Sequence, residues 1–107
     1  MSNTRSAPLV SEFAGDPEMQ ELVEFFVSAL PERIDAIRGA LGEQRFRDLQ
    51  RLAHQMKGAA GGYGFPAIGT AAGALEGTLK QNEQPPLDQV RGEVDALIAL
   101  CNRAAGV

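Results

Sequence analysis

The 107-residue sequence has one cysteine, one histidine, one tyrosine and no tryptophan. A single thiol can form neither an internal disulfide nor a zinc site, which favours a reducing compartment and a cytoplasmic protein. No apolar run approaches the roughly 18 residues of a membrane span, and the start lacks the apolar segment of a signal peptide. Basic residues are outnumbered, with 10 Lys and Arg against 14 Asp and Glu. This balance argues against a nucleic-acid-binding protein.

The composition is otherwise that of an ordinary globular domain, with 44% hydrophobic and 22% charged residues, and it excludes a disordered chain. A chain of this length forms one modest core and leaves little room for an enclosed substrate pocket. We therefore expect any chemistry to take place at the surface, with a partner supplying the rest.

The start of the chain lacks periodicity, and helical periodicity follows it. Residues 1–15 predict a loose N-terminal leader, and the helical domain is expected over 16–105. The Asp-Pro pair at 16–17 predicts a helix start. Pro31 should break or kink this helix, so a second helical stretch is expected from there to about Gly42.

Three further helices are predicted, at about 43–63, from Pro66 to about 82, and from Pro85 onward. Short links between amphipathic helices predict antiparallel neighbours, and therefore a helical bundle. Glycines at 69, 73 and 77 repeat every four residues and predict close packing of their helix. Cys101 falls on the inward stripe of the last helix, as a small core residue.

The histidine is predicted to lie on the solvent side of the helix at about 43–63. The apolar stripe of that helix centres near Leu49, Met56 and Ala60, and His54 lies roughly 140° away from it. Lys57 follows one turn later and can reach beside the imidazole. The same outer face includes Arg47, Gln50, Arg51, Gly58 and Gly61.

Gly58 and Gly61 are unusual on such a face, because each costs about 1 kcal/mol of helix stability relative to Ala. The missing side chains clear a flat approach to His54 for another protein or for a phosphoryl group. The alternative is that they only allow close helix packing.

Positive charge is concentrated around the same helix. Between Glu43 and Ala60 there are four cations and two carboxylates, in a chain whose net charge is −4. A positive patch around a lone exposed histidine suits a transiently bound phosphate or an acidic docking surface. A solvated helix face with ordinary i,i+4 pairs is the alternative.

The segment from Leu52 to Gly64 reads LAHQMKGAAGGYG. It resembles the signature of histidine-containing phosphotransfer (HPt) domains, roughly A-H-x-[L/F/M]-K-G-[S/A]-[S/A]-x-x-x-G. In that family apolar residues and a Leu-Glu pair follow, as they do here up to Leu75-Glu76. The resemblance covers about residues 17–104.

The resemblance implies an all-α, up-down four-helix bundle with an additional short N-terminal helix. It implies that His54 is phosphorylated and passes the phosphoryl group between receiver-domain aspartates in a multistep two-component phosphorelay. Lys57 would stabilise the phosphate, and Gly58 would keep the surface clear. Independently of the resemblance, neutral imidazole is a nucleophile near pH 7, and phosphoryl transfer depends mainly on positioning and charge neutralisation.

The expected partners are a response-regulator receiver domain, a hybrid histidine kinase, or both, met by a monomer. Arg47, Gln50 and Arg51 are possible docking residues. No acidic cluster resembles a magnesium site, so we expect no metal or cofactor in this chain, and Mg²⁺ on the partner receiver. The chain would be a phosphocarrier rather than an enzyme, since it has no nucleotide site and is modified in each cycle.

Two other interpretations remain open. The bundle could be a pure interaction module, a scaffold or kinase inhibitor that uses the same face and never carries phosphate. It could also be a small structural subunit with an incidental H-x-x-K-G string.

Overall fold

A computed structural model describes residues 7–105, which form four helices and no strand. The helices are α1 (Pro17–Gly42), α2 (Phe46–Gly62), α3 (Pro66–Gln81) and α4 (Leu87–Ala105). Each helix packs against the next one in the chain, and α4 packs back against α1. The short links reverse the chain direction each time, which is the arrangement of an up-down bundle. The predicted all-α helical bundle is confirmed.

The additional short N-terminal helix is not present among the described residues, and that prediction is wrong for them. The first helix begins at Pro17. Asp16 is its N-cap residue, and its carboxylate accepts a hydrogen bond from the backbone N–H of Glu18 at 2.9 Å. Residues 7–15 form turns and irregular structure. The part of the predicted leader at 1–6 lies outside the described residues.

The predicted break at Pro31 is also wrong, because α1 continues through it as one helix of 26 residues. Proline has no N–H, so it cannot bond to the carbonyl of Val27 one turn earlier. Pro31 is exposed, and water can satisfy that carbonyl. One buried stripe runs along α1 on both sides of the proline, from Phe26 to Ile37. This packing holds both halves of the helix against the same core.

Buried apolar side chains from all four helices form one core. Phe26 of α1 stacks on Tyr63 and Phe65, which link α2 to α3, with ring centroids 5.2 and 5.6 Å apart. Cys101 lies in the core as predicted, and burial raises the pKa of its thiol to about 11. The largest fully buried side chains are Phe26, Leu30, Ile37, Leu49, Met56, Ile68, Leu75, Val90, Val94, Leu97 and Cys101.

Residues 7–15, here called the N-terminal strap, contact the bundle at two places. The first is the last turns of α4. The backbone N–H of Leu9 donates to the carbonyl of Arg103 at 3.1 Å, and Nε of Arg103 donates to the carbonyl of Ala7 at 2.9 Å.

The second place is the turn between α2 and α3. The buried hydroxyl of Ser11 donates to the carbonyl of Tyr63 at 2.7 Å, and the N–H of Glu12 donates to the carbonyl of Gly64 at 2.8 Å. Gly64 has φ +88°, and a Cβ there would lie 2.9 Å from the backbone nitrogen of Glu12. The strap thus occupies space that a side chain at position 64 would need. The division into a leader over 1–15 and a domain over 16–105 stays a prediction.

Among residues 7–105, none of the helices combines the length and the apolar character needed to cross a lipid bilayer.

Candidate functional site

Helix α2 presents its only histidine to solvent. Leu49, Met56 and Ala60 are buried, as the apolar stripe predicted. His54 lies on the other side, and its side chain is 67% exposed. The direction of the imidazole therefore agrees with the sequence-based expectation.

A carboxylate of α3 joins the two functional candidates of α2. Oε2 of Glu76 lies 2.7 Å from Nδ1 of His54, and Oε1 lies 2.9 Å from Nζ of Lys57. The Glu76 side chain is only 8% exposed, whereas the other two are largely accessible. One buried carboxylate thus holds two exposed basic groups, with one oxygen for each.

This environment keeps Glu76 ionised. The hydrogen bond from Lys57 is the largest cause that lowers the pKa of the carboxyl group, and the hydrogen bond from His54 adds to it. Burial raises the pKa, but by less than the contacts with Lys57 and His54 lower it. An ionised carboxylate only accepts hydrogen bonds, so Nδ1 of His54 carries the proton.

The position of that proton decides which nitrogen of the ring can react. With Nδ1 protonated, the neutral imidazole has its free lone pair on Nε2. The carboxylate also stabilises positive charge that develops on the ring when Nε2 forms a bond, as such partners do for catalytic histidines. The arrangement therefore leaves Nε2 as the nitrogen of the exposed imidazole that is free to form a bond.

The glycines near His54 lie in open space. A Cβ at Gly58 or Gly61 would have no atom of the described chain within 4 Å, apart from its immediate helical surroundings. Close packing within this chain therefore does not explain them. A partner or a phosphoryl group can approach α2 along this side without meeting side chains from these two positions.

The glycines of α3 behave differently. A Cβ at Gly69 would lie 3.5 Å from the carbonyl oxygen of Lys57, and a Cβ at Gly73 would lie 3.2 Å from Cδ of the same lysine. These two glycines let α3 approach α2 closely, as the four-residue repeat predicted, and they leave room for the Lys57 stem. Gly77 has no such contact within the described chain.

The predicted docking residues share a groove with the histidine. Arg47, Gln50 and Arg51 line an open surface groove together with His54 and Glu76. The neighbouring Arg45 is engaged elsewhere, since its guanidinium pairs with Glu43 at 2.8 Å and with Asp48 at 2.6 Å.

Sequence reasoning assigned no role to Glu76, which entered only as part of the Leu-Glu pair. Its spacing of 22 residues from His54 is not a helical period, so only the packing of α3 on α2 reveals the contact. Across residues 7–105, no group of three or more His, Cys, Asp or Glu side chains could hold a metal ion. The expectation that Mg²⁺ belongs to a partner stays a prediction.

Comparison with protein families matches residues 21–104 of the chain to the Hpt domain. Domains of this family act in histidine phosphotransfer within phosphorelays, and they interact with receiver domains and histidine kinases. No curated protein and no solved structure is significantly similar to the chain.

Proposed function

We propose that this chain, which belongs to the Hpt domain family, carries a phosphoryl group on Nε2 of His54 between receiver-domain aspartates of a multistep two-component phosphorelay. The observation that supports this most directly is the contact of 2.7 Å between Nδ1 of His54 and the buried carboxylate of Glu76. It leaves Nε2 as the nucleophile on an exposed ring whose other nitrogen is held by a carboxylate.

The transfer consists of two displacements at phosphorus. Nε2 of His54 attacks the phosphorus of a phosphoaspartate, the P–N bond forms, and the P–O bond breaks to release the donor's carboxylate. In the second step an acceptor aspartate attacks the same phosphorus, and the imidazole leaves with its lone pair restored. Nδ1 keeps its proton throughout, and Glu76 neutralises the positive charge of the phosphorylated ring.

Lys57 is proposed to bind an oxygen of the phosphoryl group. Its ammonium group has three N–H donors, of which the contact with Glu76 at 2.9 Å uses one. The remaining donors can turn toward an anion on His54, one helical turn away. Glu76 thereby holds both the nucleophile and the cation beside the reacting group.

The proposal includes the remaining assignments. Gly58 and Gly61 give the receiver clearance, and Arg47, Gln50 and Arg51 contact it beside the reacting ring. The receiver supplies Mg²⁺, and the chain is a cytoplasmic, monomeric phosphocarrier that is itself modified in each cycle rather than a catalyst.

The test is phosphoryl acceptance by the whole chain. The protein is mixed with a phosphorylated receiver domain and Mg²⁺, and the added phosphoryl group is detected by intact mass. We expect a modification that is labile to acid and stable to alkali, and that is lost in His54→Ala. Labelling of His54→Ala at the rate of the unaltered chain would contradict the proposal. A His54→Gln variant that still binds and functions would favour the scaffold interpretation instead.

A further inference from the structure

The groove beside His54 continues along the seam between α2 and α3. A second open depression shares Arg47 and Gln50 with the first and extends to Leu79 and Lys80 of α3. We call this continuous surface the cationic groove, formed by Arg47, Gln50, Arg51, Leu79 and Lys80. It begins next to His54 and runs toward the start of α2.

Three cations of this groove are available to a partner. Within residues 7–105, neither Arg47 nor Lys80 has an ion-pair partner, and Arg51 reaches Asp48 only at 3.8 Å. Two acidic side chains line the two depressions: Glu83 in the far one, and Glu76 in the near one, where it already pairs with His54 and Lys57. The groove is therefore positive on a chain whose net charge is −4, and such a local reversal of sign attracts and orients an acidic surface.

The groove also has an apolar component. Leu79 is 5% exposed, and Phe46 at the start of α2 is partly buried against the core. A segment that fits the groove would direct acidic side chains toward the cations. A small apolar side chain between them would contact Leu79 and Phe46. A single inorganic anion would not span the groove, because Arg47 and Arg51 are one helical turn apart and Lys80 lies on the other helix.

The five residues of the cationic groove lie beside His54 and Glu76, which line the near end of the same surface. Arg47 precedes His54 by seven residues, about 10 Å along α2, and Lys80 follows Glu76 by four residues, about 6 Å along α3. A receiver whose aspartate meets Nε2 can therefore cover the groove at the same time.

We propose that the cationic groove binds an acidic segment of the receiver, separate from its phosphorylated aspartate, and thereby determines which receivers exchange phosphoryl groups with this chain. The inference rests on the proposed function of His54. It adds Lys80 and the apolar residue Leu79 to the docking residues already proposed. It assigns the groove to the choice of receiver rather than to the transfer of the phosphoryl group.

The test compares two double variants with the same change in charge. One reverses the groove (Arg47→Glu with Lys80→Glu), and the control reverses two exposed cations outside it (Arg38→Glu on α1 with Arg91→Glu on α4). Phosphotransfer from each of several phosphorylated receivers is measured over a range of receiver and salt concentrations. For receivers that the unaltered chain uses, we expect the groove variant to raise KM roughly tenfold and to weaken the salt dependence. We expect the kcat of the groove variant to stay within about twofold of that of the unaltered chain. The control variant should have a KM and a kcat close to those of the unaltered chain.

The outcomes separate the groove from the proposed function. Phosphoramidate is a small donor that needs no docking surface: Nε2 attacks its phosphorus and ammonia leaves. It therefore tests His54 of the unaltered chain without a docking step. If neither phosphoramidate nor any receiver phosphorylates His54 in the unaltered chain, the proposed function fails. Equal effects of the two double variants, or a fall in kcat with an unchanged KM, would overturn the groove proposal alone.

Inorganic phosphate provides a further test. We expect it to inhibit transfer no more than sodium chloride of equal ionic strength. Stronger inhibition that disappears in the groove variant would show that the groove takes a single anion, and would overturn the assignment to an acidic segment.

Discussion

Glu76 combines burial with two charge-assisted hydrogen bonds, and this combination links folding to pH. Its carboxyl group has a lowered pKa because Lys57 and His54 donate to the ionised form. In the unfolded chain the group returns to its ordinary value. The native state therefore binds a proton at this position less readily than the unfolded state does.

We expect Glu76→Gln to lose stability at neutral pH and to match the unaltered chain in acid. The contribution of the carboxylate is fully present above its ordinary pKa, and it disappears as the pH falls through the lowered pKa of the folded state. Urea midpoints measured across the acidic range for both proteins test this. Glu83→Gln is a control, since Glu83 is exposed and pairs with no cation within the described residues. A stability difference for Glu76→Gln that stays constant with pH would contradict the expectation.

Gly58 and Gly61 provide a second prediction at single positions. Gly58→Leu or Gly61→Leu should stabilise α2 by about 1 kcal/mol, because leucine is a far better helix former and the space is open. Transfer from a phosphorylated receiver should nevertheless fall at least tenfold, since the side chain obstructs the approach to His54. Thermal unfolding and transfer rates are measured together. Gly92→Leu, in open space on α4, should gain stability without slowing transfer. If the α2 variants transfer normally, the glycines do not provide clearance.

Single positions differ in how far the sequence predicts them. The outward direction of His54 follows from the period of one helix, so it could be read from residues of α2 alone. The contact with Glu76 depends on the register between α2 and α3, which local periodicity does not contain. Gly69 and Gly73 allow α3 to approach α2 closely at Lys57, beside this contact.

Among the helices, α1 departs most from its sequence-based description. The rule that proline ends a helix concerns the local loss of one hydrogen bond and a steric clash. In α1 the buried stripe on both sides of Pro31 outweighs that loss, so two expected helices are one. The other three helices agree with expectation within a few residues, because the prolines and glycines at their ends and their apolar stripes indicate the same bounds.

Pro31→Ala should therefore stabilise the protein. Restoring the N–H and removing the ring clash favours the helix by up to about 3 kcal/mol. The more flexible unfolded chain offsets roughly 0.4–1 kcal/mol of this gain. We expect a net gain of about 1–2 kcal/mol in urea unfolding. Pro66→Ala is the control, because Pro66 occupies the first turn of α3, where no helical bond is missing. A Pro31→Ala variant no more stable than this control would show that α1 already accommodates the ring without cost.

At the scale of the whole molecule, the N-terminal strap ties α4 to the turn between α2 and α3. The aperiodic sequence of residues 7–15 predicts the absence of helix but not these contacts. They are made mostly by backbone groups of the strap, which residue types do not encode. Gly64 is the point where the strap and the turn fit together.

Gly64→Ala should destabilise the protein by roughly 2 kcal/mol or more. The left-handed backbone alone costs an alanine about 1–2 kcal/mol. The new Cβ would also lie 2.9 Å from the nitrogen of Glu12 and from Cδ2 of Phe13. Urea unfolding measures the loss, and hydrogen exchange at the N–H of Glu12 shows whether the strap has detached. Gly42→Ala, in open space at the end of α1, should be neutral or slightly stabilising. Equal stabilities of the two variants would contradict the close contact between Gly64 and the strap.

The strap also brings Ala7 and Arg103 within hydrogen-bonding distance, at 2.9 Å. Chain segments that meet in this way can be joined by a short linker and the polypeptide opened elsewhere. The exposed link at Glu83-Gln84 between α3 and α4 offers such an opening. The bundle is thus suited to circular permutation, and equally to insertion as a cassette into a surface loop of another protein.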